Sequence, residues 1–207
     1  MTSVTIIGSG NMAQGIAAVA AKAGASVQIV GRDAAKATDA AQAVGGTSGT
    51  VGDALTGDIV VLAVPFGAID DVAATYAGAL AGKTVVDITN PVNFETFDGL
   101  VVPADASASQ AIAAALPGAR VVKAFNTNFA ATLSAGTVGG QPVTVLVAGD
   151  DADSKQSVVN LVNAGGLTGV DAGPLRRARE LESIGFLQMT LAAGEAIGWD
   201  GGFQLAK

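Results

Sequence analysis

The sequence predicts an α/β fold: a doubly wound, mostly parallel sheet with a small C-terminal α/β part. Strand-length apolar runs alternate with Ala-rich stretches of helix length along most of the 207 residues. The strand runs are apolar throughout rather than alternating, as strands covered on both faces are. A glycine-rich turn joins the first strand to the first helix.

Val4 to Ile7 is a short β-branched run, and Asn11 to Ala23 follows as a helix closed by Gly24. Val27 to Val30 is the next strand and Asp33 to Val44 the next helix. The stretch Gly45 to Gly52 is rich in Gly, Ser and Thr and supports only a weak strand. Ile59 to Val64 is a fully apolar strand, Ala68 to Leu80 has a helical pattern, and Val85 to Ile88 is again a strand. Periodicity fails from Thr89 to Ala106, which marks a functional loop or a crossing between halves. The second half gives a helix (Ser107 to Leu116), a strand (Arg120 to Phe125), a short helix after Thr127, a strand (Val143 to Ala148) and a helix (Ala152 to Ala164). A short strand near Val170 and a long helix from about Leu175 to Ala196 complete the chain. The expected division is residues 1–135 as the nucleotide-binding part and residues 136–207 as a smaller part packed on it.

Composition excludes several chemistries. Lys and Arg number 11 against 18 Asp and Glu, giving net charge −7 with no basic cluster. That balance speaks against nucleic acid and anionic membranes as partners. No apolar run reaches the ~18–20 residues of a membrane span, and no basic leader precedes the first strand, so a soluble cytoplasmic protein is expected. There is no Cys and no His. Disulfides, thiolate nucleophiles, Ser-His-Asp chemistry and Cys- or His-ligated metals are therefore absent, and no metal site is expected. Catalysis must rest on positioning or on a cofactor.

Gly8-Ser9-Gly10-Asn11-Met12-Ala13 is a G-x-G-x-x-A turn between strand and helix, the Rossmann-type context for a dinucleotide. Gly8 permits the tight turn, Gly10 lets a pyrophosphate approach the backbone, and Ala13 lets the helix press on the sheet. The plainer role is a tight turn that binds nothing. At the end of the second strand, an acid would accept from the ribose 2′-hydroxyl of NAD. This chain has Gly31-Arg32-Asp33 there. Gly31 leaves room for a phosphate, Arg32 offers a planar fork for its oxygens, and Lys36 adds charge one turn later. Asp33 is the counter-argument, unless it caps the following helix. NADP is favoured over NAD.

Further polar strand ends lie on the same predicted rim: Ala63-Val64-Pro65-Phe66, Asn90-Pro91-Val92 and Phe125-Asn126-Thr127. Each alone fits ordinary turn chemistry, but together they suggest a ligand rim at the carboxyl ends of the strands.

Across nearly its whole length the chain resembles the F420-dependent NADP oxidoreductases, which pass hydride between NADPH and the deazaflavin coenzyme F420. The resemblance is carried by Ile7 to Ala13, Gly31-Arg32 with Lys36, Ala63 to Phe66, Val121 to Thr127, Ala148 to Asp151 with Ser154-Lys155, and Asp171 to Leu175 followed by Arg179 to Glu182. Similar runs occur in the NADPH-oxidising domain of STEAP-type ferric reductases, where the acceptor is a flavin. The resemblance implies that Ser9 to Met12 hold pyrophosphate and ribose, and that Gly31, Arg32 and Lys36 take the 2′-phosphate. It implies that Ala63, Val64, Pro65, Phe66, Asn90, Pro91 and Val92 frame the nicotinamide. Phe125, Asn126, Thr127, Asn128 and Phe129 would face the acceptor ring, and Ala130 the nicotinamide. The C-terminal helix would close the acceptor pocket or form a homodimer face. The chain departs from the archaeal pattern where Asn126-Thr127-Asn128-Phe129-Ala130 stands in place of His-Thr-Ile-Pro-Ala, and in the loop from Asn90 to Phe97.

The lack of His fits ring-to-ring hydride transfer, which needs no protein acid of the alcohol-dehydrogenase kind. Lys123 is a candidate acid, although its plainer role is a strand-end lysine with its ammonium in solvent. Arg176, Arg177 and Arg179 with Glu180 and Glu182 read as a solvated helix face, or as a grip on an anionic acceptor tail. Ile184, Leu187 and Leu191 with Phe186 read as core or dimer seam. The competing functions are a flavin-using NADPH reductase and a non-catalytic NADP-binding sensor. A plug formed by Phe94, Phe97 or residues 199–207 would favour the sensor. Arg32→Ala is expected to weaken NADPH binding by roughly 1.5–3 kcal/mol and to leave NADH nearly untouched, as titration calorimetry with both nucleotides would measure.

Overall fold

The computed structural model describes residues 2–205; Met1 and the last two residues of the expected C-terminal plug lie outside them. Eight strands form one sheet. They are β1 (Ser3–Ile7), β2 (Ser26–Gly31), β3 (Thr47–Thr50), β4 (Ile59–Leu62), β5 (Thr84–Asp87), β6 (Arg120–Lys123), β9 (Thr144–Gly149) and β10 (Thr168–Gly173). Their order is β10-β9-β6-β5-β4-β1-β2-β3. All neighbours are parallel except β6 and β9. The expected doubly wound, mostly parallel sheet is thus present, and β9 and β10 of the C-terminal part extend it.

The antiparallel junction is short. β6 meets β9 only through Val122↔Gly149 and Lys123↔Ala148. The start of β9 turns instead to a later segment of the chain. The amide of Thr144 donates to Gln204 Oε1 at 3.0 Å, and Gln204 Nε2 donates to the carbonyl of Pro142.

The helices cover both faces. On one side α1 (Asn11–Lys22), α2 (Ala34–Gln42), α5 (Ala130–Ala135) and α6 (Ala152–Ala164) contribute to a core with Ile6, Ile29, Val61 and Val122. On the other, α3 (Ile69–Leu80) and α4 (Ala108–Ala115) pack on Ile7, Val30, Leu62 and Val121. Successive strand residues thus serve opposite cores, which is why the strands read as continuous apolar runs. The long C-terminal helix α7 (Ala178–Ala193) packs against α4, and a 3-10 turn (Leu175–Arg177) precedes it. The helix therefore starts later than the sequence pattern suggests.

Local chemistry sets the helix starts. Asp33 caps α2 by accepting from the amides of Ala35 and Lys36, so it is a cap as its alternative role required. Ser107 caps α4 and Asp151 caps α6. No side chain caps α1, and its first turn contains no acid. The weak stretch after Gly45 forms β3, largely exposed at the sheet edge. A hairpin of β7 (Thr137–Val138) and β8 (Gln141–Pro142) was not anticipated. Its turn residues Gly139 and Gly140 have φ of +58° and +76°, the conformation a two-residue hairpin needs. No helix among the described residues is long and apolar enough to cross a membrane.

Gly8 is the tightest point of the fold. Its φ is +123°, and an added Cβ would lie 2.1 Å from the carbonyl oxygen of Ala63, next to the end of β4. Gly8→Ala should destabilise the protein by at least about 2 kcal/mol, seen as a lower urea midpoint. The same change at Gly24, whose Cβ would meet open space, carries only the cost of its positive φ and should be milder.

Candidate functional site

Register fixes where the strand ends meet. Val30, Ile7, Leu62, Asp87 and Lys123 form one row across β2, β1, β4, β5 and β6. The residues just beyond that row therefore share one rim. The chain runs away from β1 in opposite directions along the sheet, so the rim opens into a crevice between β1 and β4.

Two cavities lie along this crevice and share Ala63, Val64 and Pro65. The first, of about 400 Å³, is walled by Gly8, Ser9 and Gly10 on one side and by Gly31, Arg32 and Lys36 at one end. The uncapped start of α1 leaves its amides available to an anion. An added Cβ at Gly10 would meet nothing within 4 Å, so the backbone there borders open space. At Gly31 a Cβ would come within 3.2 Å of Ser9 Oγ. Arg32 and Lys36 are exposed, and Lys36 lies 3.8 Å from Asp33. These features fit a dinucleotide phosphate chain with an extra phosphate near Arg32. Sequence reasoning missed the opposite wall of Asp71, Val72, Thr75 and Tyr76. Their shared helical face in the run from Ala68 to Leu80 was the available signal.

The second cavity, of about 320 Å³, includes Met12, Phe66, Asn90, Asn126, Asn128 and Phe129. None of its lining residues carries an ionisable side chain. Phe94 and Trp199 stand in its wall, and the Trp199 ring sits 4.9 Å from that of Phe129. Phe97 instead packs edge-on against Phe186. The cavity persists beside these aromatics.

Other expected residues sit elsewhere. Phe125 is buried in the core and does not line either cavity. Its φ of +62° turns the chain back so that the Asn128 amide donates to its carbonyl, and this turn swings Asn126 and Asn128 to the cavity. Thr127 lines a separate apolar groove with Ile184, Leu187, Phe203 and Leu205. Ala13 is on the buried face of α1, and Pro91 and Val92 are buried behind Asn90, where Val92 bridges to Leu100. Asn11 is exposed and Ala130 half-buried, and neither lines a cavity.

Lys123 corrects the solvent-lysine reading. Its side chain is 0% exposed. The ammonium lies 2.9 Å from both Asp87 Oδ2 and Glu182 Oε1 and donates to the Thr89 carbonyl. Ser109 Oγ donates to Asp87 Oδ2, while Glu182 accepts from the amides of Ala108 and Ser109 at the start of α4. Glu182 thus belongs to the interior, not to a solvated face. Burial pushes its carboxyl above the ordinary value, against the pull of Lys123. Lys123 does not line the second cavity; its ammonium instead holds the carbonyl of Thr89, which does. Arg177 pairs with Glu180 at 2.7 Å, and Arg176 and Arg179 are exposed away from both cavities.

Comparisons agree with this architecture. The model of a family described as NADP oxidoreductase, coenzyme F420-dependent, matches residues 3–91. The F420-dependent NADP reductase of Methanothermobacter marburgensis is 30% identical over 196 residues, covering 86% of each chain. A protein from Arthrobacter sp. FB24, whose structure was described as that of a candidate F420-dependent NADP reductase, superposes with a TM-score of 0.85 at 26% identity over 99% of each chain. The rat metalloreductase STEAP3 is 37% identical over 110 residues, which are 53% of this chain but only 21% of that protein. The chain belongs to the family of coenzyme F420-dependent NADP oxidoreductases and is an NADP-dependent oxidoreductase by that membership.

Lys123→Met leaves two buried carboxylates without their cation and should cost about 3–5 kcal/mol, measured by urea unfolding. Glu182 supplies a pH signature. Its folded pKa lies above the ordinary 4.5, so the folded state holds its proton more tightly than the unfolded chain does. Stability from this source is full below about 4.5 and is lost as pH rises through the folded pKa. Glu182→Gln should flatten the fall in unfolding midpoint above that pH. Superimposable pH profiles for the two proteins would contradict this assignment.

Proposed function

We propose that the protein transfers hydride between NADPH and a deazaflavin of the coenzyme F420 type. Residues 1–135 would hold the nucleotide, and residues 136–207 would complete the acceptor side and a homodimer face. The observation that carries this reading is the second cavity. It adjoins the glycine turn, is large enough for a ring system, and is lined by no side chain that can donate or accept a proton at neutral pH. Oxidation of an alcohol or a hydroxy acid moves a proton with the hydride and needs such a group. Exchange between two rings needs mainly stacking distance and alignment.

When bound, NADPH supplies the hydride, the acceptor ring takes it, and a proton from solvent balances the charge. The chain's part is placement. The start of α1 and Ser9 would hold the pyrophosphate, with Arg32 and Lys36 on the 2′-phosphate. Val64, Pro65 and Phe66 would direct the nicotinamide toward the second cavity. Met12, Phe129 and Trp199 supply apolar surface that keeps water from the reacting faces. Asn90, held by its bond to the Asn126 carbonyl, fixes the opposite rim. The groove at Ile184, Leu187, Phe203 and Leu205 is the proposed seam with a second copy.

A flavin acceptor is the second reading, as the resemblance to the STEAP-type ferric reductases implies. Anaerobic stopped-flow mixing with NADPH separates the two. The expected result is NADPH-dependent bleaching of F420 faster than that of FMN or FAD. Bleaching of a flavin alone selects the second reading. NADPH binding with no acceptor reduced would overturn both in favour of a sensor.

A further inference from the structure

Buried polar atoms without partners are rare in folded proteins, and each one asks for an explanation. Among the described residues three side-chain atoms are so placed: Thr89 Oγ1, Asn126 Oδ1 and Asn128 Oδ1. All three residues are more than nine-tenths buried, and all line the second cavity, although they come from two separate strand ends.

The amide orientations are fixed by their other bonds. Asn126 Nδ2 donates to the carbonyl of Leu181 and to Asn90 Oδ1, each at 2.9 Å. Asn128 Nδ2 donates to the carbonyl of Thr144 at 2.9 Å. Flipping either amide would set oxygen against oxygen. The free atoms of both residues are therefore acceptors, and Thr89 adds a hydroxyl that can also accept. The backbone of Thr89 is already engaged, its amide with Asp87 and its carbonyl with Lys123. These acceptors sit on rigid supports.

Such a wall selects its ligand. Two amide oxygens with no carboxylate beside them suit a neutral N–H donor, whereas an ammonium donor would meet no counter-charge in the lining. We propose that Asn126 and Asn128, with Thr89, receive an amide N–H carried by the ring bound in the second cavity, and so determine which rings the site accepts. This inference rests on the ring-to-ring reading of that cavity. Two groups share the chemistry: the primary carboxamide of nicotinamide and the lactam N–H of a flavin or deazaflavin pyrimidine ring.

Equilibrium binding to the unmodified protein tests it without disturbing the fold. One arm compares NADP⁺ with its 3-acetylpyridine analogue, in which a methyl ketone replaces the carboxamide. The other compares 5-deazariboflavin with its N3-methyl derivative. The expected result is a preference of about 3- to 10-fold for the N–H-bearing parent in one arm, which names the source of the donor. Asn128→Leu should erase that preference, bringing the two members of the pair to equal affinity. Equal affinities within both pairs would overturn the proposal, as would a preference that survives undiminished in both Asn128→Leu and Thr89→Val. If NADP⁺ binds but neither pair is discriminated, only this proposal fails. If NADP⁺ does not bind at all, the reading beneath it fails too.

Discussion

The ammonium of Lys123, enclosed between Asp87 and Glu182, is the constraint on which the site side of the molecule depends. One cation faces two carboxylates with no exposure to solvent. Such a cluster survives burial only because its remaining bonds are filled. Ser109 and the first amides of α4 fill them, and the Thr89 carbonyl takes the last of the ammonium's bonding capacity. The result joins the ends of two neighbouring strands to α4 and α7. Without it, α7 would be held to the rim by packing and by the bond from Asn126 to the Leu181 carbonyl.

From that anchor the shape of the second cavity follows. α7 comes so close to the strand ends that only a glycine fits at position 185. A Cβ there would lie 2.7 Å from Asn90 Oδ1. The contact holds Asn90 and Asn126 in their mutual hydrogen bonds, and these set the floor of the second cavity. The first cavity is independent of the charge cluster. It needs Gly8, the uncapped α1 and the exposed basic pair after β2. The two halves of the crevice thus have different physical supports, one backbone conformation and one buried charge.

Much of the fold could be read from the residues, because it rests on local periodicity. The apolar runs located β1, β2, β4, β5, β6 and β9, and the glycine turn located the crevice. Residues whose role depends on a distant partner could not be read this way. Nothing near Lys123 in sequence announces that Asp87 and Glu182 will enclose it. Glu182 sits among arginines and looks like a surface residue. Phe125 directly precedes residues that reach the cavity, yet its ring lies in the core while its left-handed backbone turns Asn126 and Asn128 outward. Ser9 follows from the glycine turn, and Arg32 and Lys36 from their place just after β2, and all three line the first cavity.

The short junction between β6 and β9 has a consequence of its own. A strand edge left unpaired offers its amides and carbonyls to any other strand, which invites chain-to-chain pairing. The first residues of β9 pair with no strand on the β6 side, yet side chains satisfy Thr144: Gln204 accepts from its amide and Asn128 donates to its carbonyl. The segment that borders the apolar groove therefore also shields the sheet against growth by edge addition, joining protection from aggregation to the packing of the acceptor side.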